Sequence, residues 1–297
     1  AVLGAGALGV AGVLLYLPFY AGFQSQAGGI LPNFINPTRL AHFFVMFGPL
    51  LAAAILLLIA LSRGQAGLWR RGAGYLALTV FLPIVFLAAA LLLGLATPGG
   101  QALVARLREL PMVQQAGIAS LGQLAGAVAG IRLGAPWTYL LLAGMIAWVL
   151  ALLGGMAQPA RSETGPSGES LPLTPSPSLP VVTFALLLLL TALLLTFSVE
   201  FVYLRDTFGT RMNTVFKFYY QAWVLLALVA AFSVVYLARY AGRALRWGGL
   251  TLIALLTVAG LFYPVFATYT RAERFQTTPT LDGAAYLARQ NPADMAA

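Results

Sequence analysis

The sequence contains no cysteine and a single histidine, His42. Disulfides, thiolate metal sites and cysteine nucleophiles are thereby excluded, and one imidazole cannot build a histidine metal centre. Charge is scarce too. Asp, Glu, Lys and Arg make up 8% of 297 residues, and Lys217 is the only lysine. An ordinary soluble domain carries about 25% charged residues, so a soluble fold of this length has too little charge to cover its surface. No Walker loop, dinucleotide fingerprint, zinc motif or Ser-His-Asp pattern occurs, which removes soluble-type nucleotide and protease chemistry.

What is abundant is apolar: 60% of the chain is hydrophobic. Crossing ~30 Å of hydrocarbon at ~1.5 Å per residue takes about 20 apolar residues. Seven runs meet that demand, roughly Val2–Tyr20, Leu40–Leu61, Ala73–Ala96, Trp137–Met156, Val181–Val199, Phe218–Leu237 and Gly248–Ala267. Each is expected to be helical, because open strands and loops leave backbone groups unpaired in lipid. The fold class is therefore all-α, a polytopic integral membrane protein of about seven spans. Aromatics such as Tyr16, Tyr20, Trp69, Tyr75, Trp137 and Trp247 mark the interfaces, and Pro83 and Pro264 predict local kinks.

The net charge of +9 would suggest nucleic acid in a soluble chain. Here the basic residues fall between apolar runs, as topology signals do, so no nucleic-acid partner is expected; the lipid bilayer is the expected partner. Arg63, Arg70 and Arg71 in one connection and Arg239, Arg243 and Arg246 in another fall on the same side of a seven-span chain. That side is taken as cytoplasmic, although summed over all loops the opposite side carries more basic residues. A plasma-membrane location follows, with protein partners undetermined.

The chain divides into residues 1–157 (four spans, with an outer loop and interfacial helix near 97–136), a Pro/Ser-rich linker at 158–180, residues 181–267 (three spans), and residues 268–297, the start of an outer region. Within the loop, Ala116–Leu133 is apolar, with Gly122, Gly126 and Gly130 spaced for close helix contact. It is read as a helix at the interface or against the bundle, since an eighth span would put the two Arg-rich loops on opposite sides. The linker holds six prolines among Ser, Thr and Gly and is expected to tolerate shortening. The opening at Ala1 and the ending after Asn291 are expected to be those of a fragment.

One segment breaks the separation of charge from lipid. Glu200 to Gln221 joins two apolar helices and contains Glu200, Arg205, Asp206, Arg211 and Lys217. Charges near span ends persist only with partners or water, because one at mid-membrane costs ~2.5–3.5 kcal/mol. Tyr203 pairs with Glu200 on one helix end, and Asn213, Lys217, Tyr220 and Gln221 share a face of the next helix at three- and four-residue steps. The two polar faces are expected to converge on an outward pocket. Arginine and lysine there suit a phosphate, and a carboxylate suits proton abstraction or a metal. An ion-paired turn that merely holds helices together accounts for the residue types equally well. His42 reads as an interfacial hydrogen-bonding residue, and Gln24–Gly29 as a surface loop.

The run Glu200-Phe-Val-Tyr-Leu-Arg-Asp206 through Gly209, Arg211-Met-Asn-Thr-Val-Phe-Lys217 and Phe218-Tyr-Tyr-Gln-Ala-Trp223 resembles the hallmark of the YYY-domain membrane proteins. Leu17–Tyr20, Phe23–Gly29 and Thr38–Leu40 resemble the same family more weakly. That family is similar to the GT-C class of membrane glycosyltransferases. The resemblance implies a GT-C-like core that transfers a sugar from a polyprenyl-phosphate donor at the outer face. Arg205, Arg211 and Lys217 would bind the donor phosphate, and Glu200 and Asp206 would be the catalytic or orienting carboxylates. Tyr203, Asn213, Tyr220 and Gln221 would line the pocket. It implies no certain cofactor and leaves a divalent metal open. The upstream loop that commonly carries the base in GT-C enzymes is expected to lie outside this chain. A transporter or channel, or a scaffold in a membrane complex, are the rival readings.

Overall fold

A computed structural model describes residues 10–17, 22, 29–98, 101–102, 105, 109, 121–156, 178–205, 210–276 and 280–282. Among the described residues the main helices and two short strands run in the order β1 (Ile30–Pro32), α1 (Leu40–Ser62), α2 (Leu68–Ala96), α3 (Leu121–Gly134), α4 (Trp137–Met156), α5 (Leu179–Ser198), β2 (Val202–Leu204), α6 (Met212–Tyr240) and α7 (Arg243–Arg271). All but α3 are long and apolar enough to cross a membrane, which makes six candidate spans among the described residues. The first expected span, Val2–Tyr20, falls largely outside those residues; 10–17 are helical. The linker at 158–180 likewise lies outside them up to residue 177.

The chain divides into two compact units, residues 1–241 and 242–297. In the first, α1, α4, α5 and α6 form the core, and α2 packs on the outside of α4. Lipid is as apolar as leucine, so these helices gain little from hydrophobic burial against each other and associate through close van der Waals fit. The sequence supplies that fit by mixing large and small side chains at contact positions. Phe43, Phe47, Leu51, Ala54 and Leu58 follow one face of α1, and Tyr219, Ala222, Leu226 and Val229 one face of α6. Pro83 and Pro264 sit inside unbroken helices, as does Pro49. Among its described residues the second unit holds α7 and a 3₁₀ turn at Glu273–Phe275.

One finding, at α3, differs from the sequence reading. Helix α3 has 14 residues, rising about 21 Å, short of a span. A Cβ placed on Gly122, Gly126 or Gly130 would meet nothing within 4 Å, so among the described residues the glycine row makes no close helix contact. What fixes α3 is its other face: Leu124 is buried with Phe34, and Arg132 reaches the head of the bundle.

Both ends of the first unit collect loops from alternate connections. At one end Arg71 lies against Gly155, which brings the connection after α1 beside the end of α4. At the other, β1 pairs antiparallel with β2, joining segments 170 residues apart in register Ile30↔Leu204 and Pro32↔Val202. Topology reporters inserted near Arg70 and within 158–180 are therefore expected to report one side of the membrane, and a reporter after Arg271 the other. The same side for all three would remove this topology.

Candidate functional site

The β1–β2 ladder sets the register of the site. It continues past the strands, with Asn33 N–H donating to the Phe201 carbonyl (2.7 Å) and Arg205 N–H to that of Gly29 (2.9 Å). This lays the loop before α1 across the turn that follows α5. Asn33, 1% exposed, ties them further through Nδ2 to the carbonyls of Glu200 (3.1 Å) and Asn36 (3.1 Å).

Glu200 is enclosed at the centre of this junction, 1% exposed. A carboxylate taken from water at such a site is stable only if paired and fully hydrogen-bonded. Its Oε1 accepts from Arg211 Nη1 (3.0 Å) and from the Thr38 hydroxyl, and its Oε2 accepts from the Thr38 backbone N–H (3.0 Å). Arg132 Nη1 stands 4.0 Å from Oε2. Arg211 also donates to the Val199 carbonyl (3.1 Å) and the Thr38 hydroxyl (3.0 Å). Arg132 donates to the carbonyls of Phe34 (3.0 Å), Glu200 (2.7 Å) and Asn33, with its guanidinium 5.7 Å above the Phe201 ring. Burial lowers Arg132 from its ordinary value, and the Glu200 carboxylate opposes that shift.

Beside the cluster is an open cleft of about 320 Å³, lined by Pro37, Thr38, Arg39, His42, Arg211, Val215 and Tyr219. Arg39 and Arg211 occupy the residues just before α1 and α6, and neither helix has a side-chain cap or an acidic residue in its first turn. Uncapped amides and the positive dipole ends therefore add to two guanidinium groups and an imidazole. The arrangement can hold an anion. Tyr219 closes the floor, with its hydroxyl 3.3 Å from that of Thr38 and its ring edge-on to Phe47.

Of the residues expected at one pocket, Glu200 and Arg211 come together, and only Arg211 lines the cleft. Arg205 is exposed beyond β2, and Tyr203 is half-buried on β2 opposite Leu31. Asp206 lies outside the described residues. Asn213, Lys217, Tyr220 and Gln221 do share one side of α6, but not the side of the cleft. At ~100° per residue Lys217 is turned about 240° from Arg211. The cleft side of α6 is instead Arg211, Val215 and Tyr219, continuous with its buried stripe. Lys217, Tyr220 and Gln221 are exposed and Asn213 half-buried. Polar faces near a helix end need not turn inward, because a lysine stem can carry its ammonium to the interface. Lys217→Met is expected to change thermal stability little, with effects within about ±0.5 kcal/mol. A large drop in melting temperature would reveal a partner for Lys217.

The sequence reading missed Arg132, Asn33, Thr38 and Arg39 as members of the site. A lone arginine ending an otherwise apolar helix was the available signal for Arg132. Among the described residues no group of three or more His, Cys, Asp or Glu comes together. Both oxygens of Glu200 are already engaged by Thr38 and Arg211, so Glu200 is not arranged as a metal ligand.

Apolar helices of spanning length, held at one end by an ion-paired junction, define a multi-pass α-helical membrane protein. The family model described as uncharacterized membrane protein (DUF2298) matches residues 1–226, and the chain belongs to that family. No curated protein and no solved structure matches it.

Proposed function

We propose that the chain is the membrane core of a GT-C-like glycosyltransferase that takes a polyprenyl-phosphate-linked sugar, with the cleft between the heads of α1 and α6 holding the donor phosphate. The observation that carries this reading is the cleft itself, which gathers Arg39, His42 and Arg211 at two uncapped helix starts. The resemblance of the Glu200–Trp223 run to YYY-domain proteins, and through them to GT-C enzymes, supplies the reaction class. The family match says membrane protein and adds nothing on catalysis.

Within this proposal Arg211 and Arg39 bind the phosphate, and Glu200 orients Arg211 rather than abstracting a proton, since a carboxylate so enclosed has no approach to an acceptor. Asp206 keeps the candidacy for base or metal ligand. Arg205 and Lys217 stand away from the cleft and serve at most the approach of a headgroup. The site faces the outer side of the plasma membrane. Transport is less well supported. The bundle core is packed with Leu, Ala, Val and Phe; of the polar groups buried within α5 and α6, Thr196 and Ser233 bond to carbonyls of their own helices, and Thr214, at the head of α6, accepts from the Leu204 N–H.

The full-length protein in nanodiscs is expected to bind undecaprenyl phosphate saturably and more tightly than undecaprenol. Arg211→Met and Arg39→Gln should each weaken phosphate-lipid binding about tenfold or more, since a charge-assisted hydrogen bond contributes roughly 1.5–3 kcal/mol. Lys217→Met should leave it unchanged. Equal binding of the phosphate and the alcohol would overturn the assignment.

A further inference from the structure

We infer that the cleft is matched to a phosphate carrying two negative charges, and therefore to the lipid phosphate that leaves rather than to the donor that enters. The inference rests on the proposed reading of the cleft as a lipid-phosphate site. It comes from the charge of the assembled cluster. Among the described residues, Arg132 and Arg211 face one carboxylate, Glu200, and Arg39 lines the cleft beside them, which leaves two positive charges in excess. Arg205 is exposed beyond β2 and does not line the cleft. Lys217 points away.

A sugar joined to a lipid through one phosphate is a phosphodiester with a single negative charge. In transfer, the acceptor oxygen bonds to the anomeric carbon while the bond from that carbon to the phosphate oxygen breaks. The bonding pair stays on that oxygen and the acceptor's proton goes to solvent. The departing lipid phosphate thereby gains the second charge. Against the donor the cluster is left with one unmatched positive charge; against the leaving group it is balanced. Interactions stronger with the charge-separated state than with the donor are the ones that speed the chemical step. They also hold the product, so lipid phosphate release should be slow and lipid phosphate should inhibit.

The groups facing the ligand are Arg39 just before α1 and His42 on it, Arg211 just before α6 and Tyr219 on it, and Thr38 from the loop, with Glu200 and Arg132 behind. A phosphate monoester loses its second charge near pH 6, whereas a methyl diester has none to lose. The test compares undecaprenyl phosphate, its methyl ester, undecaprenol and inorganic phosphate on the full-length protein in nanodiscs. At pH 7.5 the monoester should bind about tenfold more tightly than the methyl ester, a preference of order 1.4 kcal/mol. At pH 5.5 the preference should shrink. Any charge that His42 gains acts on both lipids and cancels in their ratio. Equal affinity at pH 7.5, or a ratio that does not move with pH, overturns the doubly charged match while the phosphate site stands. Undecaprenol binding as tightly as both lipids overturns the site itself. Inorganic phosphate competing as well as the lipid monoester at equal concentration overturns the lipid-linked reading.

Discussion

Replacing Glu200 with leucine is expected to destabilise the protein by about 3–5 kcal/mol, the range found when one partner of a buried ion pair is removed. The cost does not lie in the loss of attraction alone. Arg211 and Arg132 have side chains 15% and 17% exposed, and without the carboxylate two mostly buried guanidinium groups face each other with no counter-charge. The Thr38 backbone N–H loses its acceptor as well. Glu200→Gln keeps the size and one acceptor but not the charge, so it should fall between wild type and Glu200→Leu. Thermal unfolding in detergent, followed by tryptophan fluorescence, orders the three. A Glu200→Leu protein that melts with wild type would show that the cluster contributes nothing to holding the β1–β2 junction.

The cost of placing groups in lipid made much of this architecture legible. Runs of about 20 apolar residues announce spans because hydropathy is a property of local sequence. The six candidate spans duly overlap runs read from composition, α5 and α6 among them. The same cost made Glu200 and Arg211 visible, as charges that could not persist between apolar helices without partners. Their partners were not visible. Thr38 is 162 residues from Glu200 and Arg132 is 68 residues from it, and nothing in one sequence states which loops meet at the head of a bundle. The β1–β2 pairing that makes them meet involves three residues on each side, too few for a period-two pattern to register. Lys217 shows a different limit. Three- and four-residue spacing on the helix sets it on one face with Asn213, Tyr220 and Gln221. Which way that face points depends on where α1 and α5 pack against α6, and the buried stripe running from Tyr219 to Leu237 decides it.

Arg132 offers the other large effect, and its replacement by lysine is the informative one. A single planar guanidinium reaches the carbonyls of Asn33, Phe34 and Glu200 from α3, and covers the Phe201 ring. These carbonyls belong to two segments, the loop leading into α1 and the turn leaving α5, so Arg132 joins them as a rivet from a third element. Lysine supplies the charge but only a compact ammonium, which cannot present donors along a fixed fork to three separated acceptors. Arg132→Met removes charge and donors together; the Glu200 carbonyl keeps Asn33 Nδ2, but those of Asn33 and Phe34 lose this donor, each costing about 1–3 kcal/mol where no water replaces it. Both variants are therefore expected to lose stability, by about 2–4 kcal/mol for methionine and by more than half of that loss for lysine. Because Arg132 repels Arg211 across Glu200, its removal relieves part of the cluster's excess charge, so the loss for methionine should stay below that of Glu200→Leu. The measurement is thermal unfolding of both variants beside Glu200→Leu. A lysine variant as stable as wild type would mean that one point charge near Glu200 is all that position provides, and the rivet would be refuted.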